Sequence, residues 1–236
     1  MHPLVTLTLA PLLAAQGLYV RRIVPVLPEP SGPRHVSSGS GPRVRLLILG
    51  DSAAAGVGAV TQTEALSGQL VARLEKDRQV SWRLIARSGF TTSDLLSHLR
   101  EYPLEGEWDV AVISLGVNDA IRRFTPTRFA ADQRELIAGL RARSGVRQFI
   151  LSGLPPVHRF PALPDPLRWY LGSAVNQLDR TLARIAASEA GCEYLSLGAS
   201  PDMDVAAAMA SDGFHPGPPA YALWAVAAAE RIRRSG

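Results

Sequence analysis

The stretch Val44-Arg45-Leu46-Leu47-Ile48-Leu49, followed directly by Gly50-Asp51-Ser52, decides the fold class. Its leucine and β-branched residues predict a short strand that ends at Gly50. The residues after Ser52 predict a helix, so the segment is a strand that turns directly into a helix. This is how a βαβ unit begins, and it indicates a parallel sheet.

The same alternation continues to the end of the chain. Four further strands are predicted, at Trp82–Ala86, Val110–Leu115, Val146–Leu151 and Glu193–Leu197. Helices are predicted at Glu64–Asp77, Ser93–Arg100, Arg128–Arg143, Pro166–Ala190 and Pro218–Arg233. Strands that alternate with helices favour right-handed crossovers, with helices on both faces of the sheet. We therefore expect an α/β domain of three layers (α/β/α) around a five-stranded parallel sheet.

The N-terminal segment differs from the rest of the chain. Residues 4–20 are mostly apolar, and Arg21 and Arg22 follow them. The run is at the lower length limit for a bilayer span and is interrupted by Pro11. It fits an amphipathic arm packed on the domain and a membrane-surface contact through residues 4–22 equally well. Export ranks third because the charges follow the apolar run; a cytoplasmic location, or one at the cytoplasmic membrane face, is favoured.

Proline, glycine and serine dominate residues 25–42. Such a composition is typical of an extended linker, because it offers little apolar surface for a core. We therefore divide the chain into an apolar arm (1–24), a linker (25–42) and one folded domain (43–236).

Composition excludes several classes of protein. Of 236 residues, 47% are hydrophobic and 19% charged, which excludes a disordered chain, a collagen and a coiled coil. The single cysteine, Cys192, excludes an internal disulfide and a cysteine-based zinc cluster. The net charge of +4 comes from arginines spread along the whole chain, so we expect no nucleic-acid partner. Composition leaves the oligomeric state open.

The informative polar residues follow the predicted strands, where open parallel sheets bind their ligands. Ser52 follows the first strand, and it could act as a nucleophile or only cap the helix. Gly89 follows the second strand and Asn118 the third. Both could donate to an oxyanion, and both are also common turn residues. We expect Asp119 to cap or brace its loop.

A fourth motif, Asp212-Gly213-Phe214-His215-Pro216, precedes the last helix. An Asp three residues before a His can fold back and hold Nδ1–H, which leaves Nε2 free to act as a base. The proline-rich loop 154–164 follows the fourth strand. It could form a wall of a substrate pocket, or it could simply lead into the next helix.

Taken in order, these blocks resemble the four signature blocks of the SGNH or GDSL hydrolases, across about 165 residues. The resemblance implies a flavodoxin-like sheet, with Ser52 as nucleophile, His215 as base and Asp212 orienting it. It also implies an oxyanion hole made by the N–H groups of Ser52 and Gly89 and the side-chain amide of Asn118. Neither a cofactor nor a metal ion is implied.

The implied activity is that of a serine esterase, which cleaves a small-molecule acyl ester through an acyl-enzyme. With the apolar arm and loop, it suggests a lipase-, lysophospholipase- or thioesterase-like enzyme. A non-catalytic, membrane-associated binding protein with the same fold is one alternative. An acyltransferase or a carbohydrate acetylesterase with the same triad is another.

Overall fold

The computed structural model describes residues 3–197 and 205–234, with side chains from residue 8 onward. Its sheet has six strands in the order β1-β3-β2-β4-β5-β6. These strands are β1 (His35–Gly39), β2 (Arg43–Gly50), β3 (Gln79–Ala86), β4 (Val110–Ser114), β5 (Gln148–Ser152) and β6 (Cys192–Leu195).

Helices cover both faces of the sheet. They are α1 (Pro3–Ile23), α2 (Ser52–Ala55), α3 (Leu66–Leu74), α4 (Thr92–Glu101), α5 (Val117–Ile121), α6 (Pro126–Ser144), α7 (Leu167–Ser188), α8 (Val205–Ala208) and α9 (Pro218–Arg234). Leu46 and Ile48 of β2 pack into the core beneath α2, α3 and α9, whereas Leu47 and Leu49 face the core on the α4–α7 side. Residues 46–49 of β2 are buried and apolar without interruption, as expected of a strand covered on both faces.

The three-layer α/β/α fold is confirmed, but the strand count of five is wrong. Strands β3, β2, β4, β5 and β6 form the expected parallel sheet, and β1 adds a sixth strand antiparallel to β3. This strand lies within residues 25–42, the predicted linker. Four of its five residues are exposed, so it carries no apolar pattern. It forms because its backbone pairs with the otherwise open edge of β3.

The apolar arm is a helix that packs against the domain. Leu13 of α1 is buried in the core on the α7 side. The Gln16 side-chain amide donates to the Asp165 carbonyl at 2.7 Å, and the Leu167 N–H donates to Gln16 Oε1 at 3.0 Å. The packed-arm interpretation is therefore correct for this face of the helix. Among the described residues, no helix combines the length and apolarity that crossing a membrane requires.

The strand order positions the site. Starting from β2, the chain first adds β3 on one side and then returns to add β4 on the other. The two loops after β2 and β4 consequently diverge and leave a crevice at the carboxyl ends of these strands. Ser52 and Asn118 lie in the first turns of α2 and α5, the helices that begin shortly after these two strands.

Candidate active site

Ser52 is the first residue of α2, immediately after the end of β2. The N-cap of this helix is Asp51, whose carboxylate accepts the Ala53 N–H at 3.1 Å. The alternative that Ser52 serves as the cap is therefore wrong. A Cβ on Gly50 would lie 2.3 Å from the Ser114 carbonyl oxygen, so the chain leaves β2 close beside β4 only because this residue is glycine.

The Ser52 hydroxyl instead faces a histidine. Its Oγ lies 3.0 Å from His215 Nε2, and His215 Nδ1 lies 2.5 Å from Asp212 Oδ2. The other carboxylate oxygen of Asp212 accepts the backbone N–H groups of Phe214 at 3.0 Å and His215 at 2.9 Å. The predicted fold-back of Asp212 onto His215 is thus present, and it leaves Nε2 directed at the hydroxyl.

Asp212 is buried, yet it favours its charged form. Burial by itself disfavours the carboxylate, but the hydrogen bonds from the His215 ring and from the N–H groups of His215 and Phe214 outweigh it. Together they hold the pKa of Asp212 below its ordinary value. A carboxylate that stays ionised beside Nδ1 fixes the ring orientation and stabilises a positive charge on the imidazole.

Asn118 lies on α5, which begins shortly after β4. Its side-chain amide donates one N–H to the Phe90 carbonyl at 3.0 Å, which ties it to the loop that contains Gly89. Arg122, one turn further along, donates to the Gly89 carbonyl at 3.2 Å and pairs with Asp94 at 3.0 Å. Two contacts therefore hold the Gly89 loop against α5.

Asp119 makes the third contact of this kind. Its buried carboxylate accepts the Thr92 N–H at 3.1 Å and 3.2 Å, so it braces the start of α4, where the sequence predicted a brace of its own loop. Burial raises the pKa of Asp119 to about 6. Burial, helped by the nearby charge of Asp119, raises the pKa of Asp51 to about 7. Two acidic groups thus lie buried behind Ser52, in an environment that disfavours their charged forms.

A cavity of about 360 Å³ adjoins the hydroxyl. Ser52, Asn118 and His215 line it, whereas Gly89 lies outside its described lining. The remaining lining is mostly apolar. It includes Leu154, Pro155, Pro156 and Phe160 of the proline-rich loop and one face of α9, made of Ala220, Leu223, Trp224 and Ala227.

The loop 154–164 therefore does form part of a pocket wall, one of its two predicted roles. The contribution of α9 was not predicted from the sequence. Its lining residues recur at the spacing i, i+3, i+4, i+7, which is visible in the sequence but equally typical of a helix that packs on the core. The one sequence signal that this helix also reaches the site is that it begins shortly after Pro216, which directly follows the candidate base.

A family model and several solved structures match the chain. The model of the GDSL-like lipase/acylhydrolase family matches residues 48–223. No curated protein sequence is significantly similar to the chain. Among solved structures, a lipase/acylhydrolase from Enterococcus faecalis is 19% identical, with a TM-score of 0.62 over 81% of this chain and 96% of that one.

Two further solved structures share the fold. A psychrotrophic esterase from Pseudoalteromonas sp. is 19% identical, with a TM-score of 0.58 over 81% of this chain and 97% of that one. A catalytic mutant of an acetylxylan esterase from Geobacillus stearothermophilus is 20% identical, with a TM-score of 0.61 over 82% of this chain and 95% of that one.

Proposed function

The chain belongs to the GDSL-like lipase/acylhydrolase family and is therefore an ester hydrolase, and from this premise we propose that it cleaves acyl esters through an acyl-enzyme on Ser52. The observation that carries the proposal is the hydrogen-bonded series Asp212–His215–Ser52 at the edge of an apolar cavity. A nucleophile, a base and a group that orients the base are the three components that this chemistry needs.

In the first half of the reaction, His215 Nε2 takes the proton of Ser52 while Oγ attacks the ester carbonyl. The carbonyl oxygen becomes negative as the tetrahedral intermediate forms. Three donors stabilise it, namely the N–H groups of Ser52 and Gly89 and the free N–H of the Asn118 amide. The C–O bond to the alcohol then breaks, and His215 returns the proton to the departing alkoxide.

In the second half, water takes the place of the alcohol. His215 removes a proton from the water, the resulting hydroxide adds to the acyl carbon, and the same three donors hold the oxyanion. The bond between the acyl carbon and Ser52 Oγ then breaks, and Oγ takes back the proton from His215. The products are a carboxylic acid and free enzyme.

The experiment is active-site labelling combined with turnover. We expect a fluorophosphonate to modify Ser52 once per chain, and p-nitrophenyl butyrate to be hydrolysed with a burst of one nitrophenol per chain. Ser52→Ala should abolish both, while the control Ser97→Ala, at an exposed serine of α4, should preserve both. Turnover that survives in a folded Ser52→Ala protein would overturn the proposal.

The same assay separates the alternative functions. A binding protein with this fold would bind esters but show neither labelling nor turnover. An acyltransferase would divert the acyl group to an added alcohol such as glycerol faster than to water. A carbohydrate acetylesterase would prefer acetylated sugars to longer esters. The apolar lining of the cavity favours lipid-like or medium-chain acyl esters over acetylated sugars, because hydrophobic contacts contribute most when the acyl chain fills the cavity.

For residues 4–22 we propose contact with an anionic membrane surface. While one face of α1 packs on α7, Leu12, Leu18 and Tyr19 of the other face are exposed by 47%, 68% and 57%. No acidic residue precedes Glu29, and the charges of the helix are Arg21 and Arg22. Exposed apolar side chains next to arginines are what binding at an anionic interface requires.

Sedimentation with vesicles tests this contact. We expect the protein to sediment with vesicles that contain phosphatidylserine and less with neutral phosphatidylcholine vesicles. The triple change Leu12→Ser, Leu18→Ser, Tyr19→Ser should remove this binding, whereas Val60→Ser, at an exposed valine of the domain, should preserve it. Equal binding by the triple variant would contradict the proposal.

A further inference from the structure

We propose that the acyl chain of the substrate lies in the cavity beneath α9, that the alcohol leaves on the Gly89 side, and that Ala227 limits the length of chain accepted. This inference rests on the proposed function of Ser52. It adds which part of the ester each side of the site receives and which residue selects among substrates.

The two sides of Ser52 differ in how much protein surrounds them. Toward α9, the nucleophile adjoins the apolar cavity of about 360 Å³. Toward Gly89, the site is open. Gly89 is exposed, and a Cβ placed on it would meet no heavy atom of the described residues within 4 Å.

The order of the reaction assigns these two sides. The acyl group remains bonded to Ser52 while the alcohol departs and water replaces it. A pocket with an apolar lining therefore suits the acyl group, because its chain can stay partly desolvated through both steps. The open side suits the alcohol and the incoming water, which must exchange with solvent once in each turnover.

Helix α9 provides a track for the chain. Ala220, Leu223, Trp224 and Ala227 line the cavity from one face of the helix, and Ala220 and Ala227 are about 10 Å apart along its axis. The Trp224 indole is fixed by its hydrogen bond to Ser152 Oγ at 3.2 Å. Leu154 and Leu197 are among the residues that line the cavity away from α9.

Among the residues of α9 that line the cavity, Ala227 is the farthest along the chain from His215. Its methyl side chain leaves space that a larger side chain would fill. A larger residue here should therefore shorten the cavity at the end remote from Ser52, without touching the polar atoms of the triad.

The test uses two ester series. In the acyl series (p-nitrophenyl acetate, butyrate and octanoate), kcat/KM should rise about fourfold per methylene until the cavity is full. In the alcohol series (ethyl, butyl and octyl acetate), kcat/KM should stay nearly constant. Ala227→Phe should lower the octanoate-to-acetate ratio of kcat/KM at least about tenfold, and Ala227→Leu less strongly.

Val226→Phe is the matched control, because Val226 is the adjacent residue of α9, is 42% exposed and does not belong to the described cavity lining. It should leave the ratio unchanged. A rise along the alcohol series in place of the acyl series would overturn the inference. So would an equal loss on all esters in Ala227→Phe and Ala227→Leu proteins that the fluorophosphonate still labels.

The outcomes also separate this inference from the proposal on which it rests. If Ser52 is not labelled and no ester is cleaved, the proposed function fails and the inference fails with it. If Ser52 turns over acetate and octanoate at equal kcat/KM, the esterase function stands and only the assignment of the acyl chain to the α9 cavity is wrong.

Discussion

The polar side and the apolar side of Ser52 are held together by different forces. On the polar side, hydrogen bonds from α5 fix the loop of Gly89: Asn118 bonds the Phe90 carbonyl, Asp119 the Thr92 N–H and Arg122 the Gly89 carbonyl. On the apolar side, α9 contributes Leu223, Trp224 and two alanines to a cavity whose described lining is mostly apolar.

This difference separates two properties of the enzyme. Hydrogen bonds have direction, so on the proposed mechanism the polar side sets where donors point and hence how well an oxyanion is stabilised. Apolar contacts depend on area and volume, so on the same proposal the apolar side sets which acyl chains are accepted. Changes on the polar side should therefore lower kcat for every ester, and changes on the apolar side should alter the ratio between esters.

Among changes that leave Ser52, His215 and Asp212 intact, the largest effect should come from Asn118→Ala. Removing this donor should lower kcat by about 10²–10³, which corresponds to about 3–4 kcal/mol. The loss should be similar for p-nitrophenyl acetate and octanoate, because the oxyanion is the same in both. Steady-state kinetics on the two esters measures it.

The chain has one other asparagine, Asn176 on α7, and Asn176→Ala is the control. It should leave kcat unchanged. A folded Asn118→Ala protein with full kcat would show that the amide only ties the loop of Gly89 in place. A loss confined to octanoate would show that the polar and apolar sides are not separate.

Much of the polar side could be predicted because its residues stand in short contiguous motifs. Ser52, Asn118 and His215 each follow a turn signal or a strand, and the strands were recognisable from their apolar runs. The parallel sheet then brings residues from distant motifs to one edge. Local sequence and the topology of the sheet thus suffice to place these side chains near each other.

The apolar side could not be predicted in the same way. Leu223 and Ala227 have the pattern of any helix that packs on a sheet, and whether a space remains beneath them depends on the fit of the surrounding side chains. Strand β1 was missed for a related reason. Its residues bury little, and it forms through backbone pairing that side-chain patterns do not record.

Ionisation of the buried Asp51 carboxyl on the polar side should lower the free energy of unfolding, and comparison with Asp51→Asn measures this loss. Burial raises the pKa of Asp51 to about 7, above an unfolded value of about 3.9. The folded state therefore holds the proton more tightly, and the stability it contributes is lost as pH rises toward 7. Between pH 5 and 8, the free energy of unfolding of the wild type should fall by about 3 kcal/mol relative to Asp51→Asn.

Urea denaturation across this pH range gives the comparison, and Glu105→Gln, at an exposed glutamate, serves as the control. Its difference from the wild type should not vary over the same range. If the difference in free energy of unfolding between wild type and Asp51→Asn were equally constant with pH, burial would not disfavour the ionised Asp51 carboxyl. Protonation of Asp51 would then not stabilise the polar side.

The variant with the smallest expected effect, Arg122→Ala, tests whether the exposed hydrogen bonds of the polar side influence the reaction or only stabilise the surface. Arg122 is 53% exposed and holds both Gly89 and Asp94. An exposed ion pair contributes at most about 1 kcal/mol to stability, so Arg122→Ala should change Tm little. If the pair positions the Gly89 N–H, however, kcat should fall about tenfold at unchanged KM, because a misplaced donor is felt mainly in the transition state.

Arg100→Ala is the matched control, since Arg100 is 55% exposed and pairs with Glu135 away from the Gly89 loop. It should preserve kcat. Arg122→Lys should recover part of the loss, because a single ammonium can reach one of the two partners but lacks the planar fork that bonds both. If Arg122→Ala and Arg100→Ala behave alike, Asn118 and Asp119 alone position the loop. The hydrogen bonds that matter for the reaction then come only from the first turn of α5.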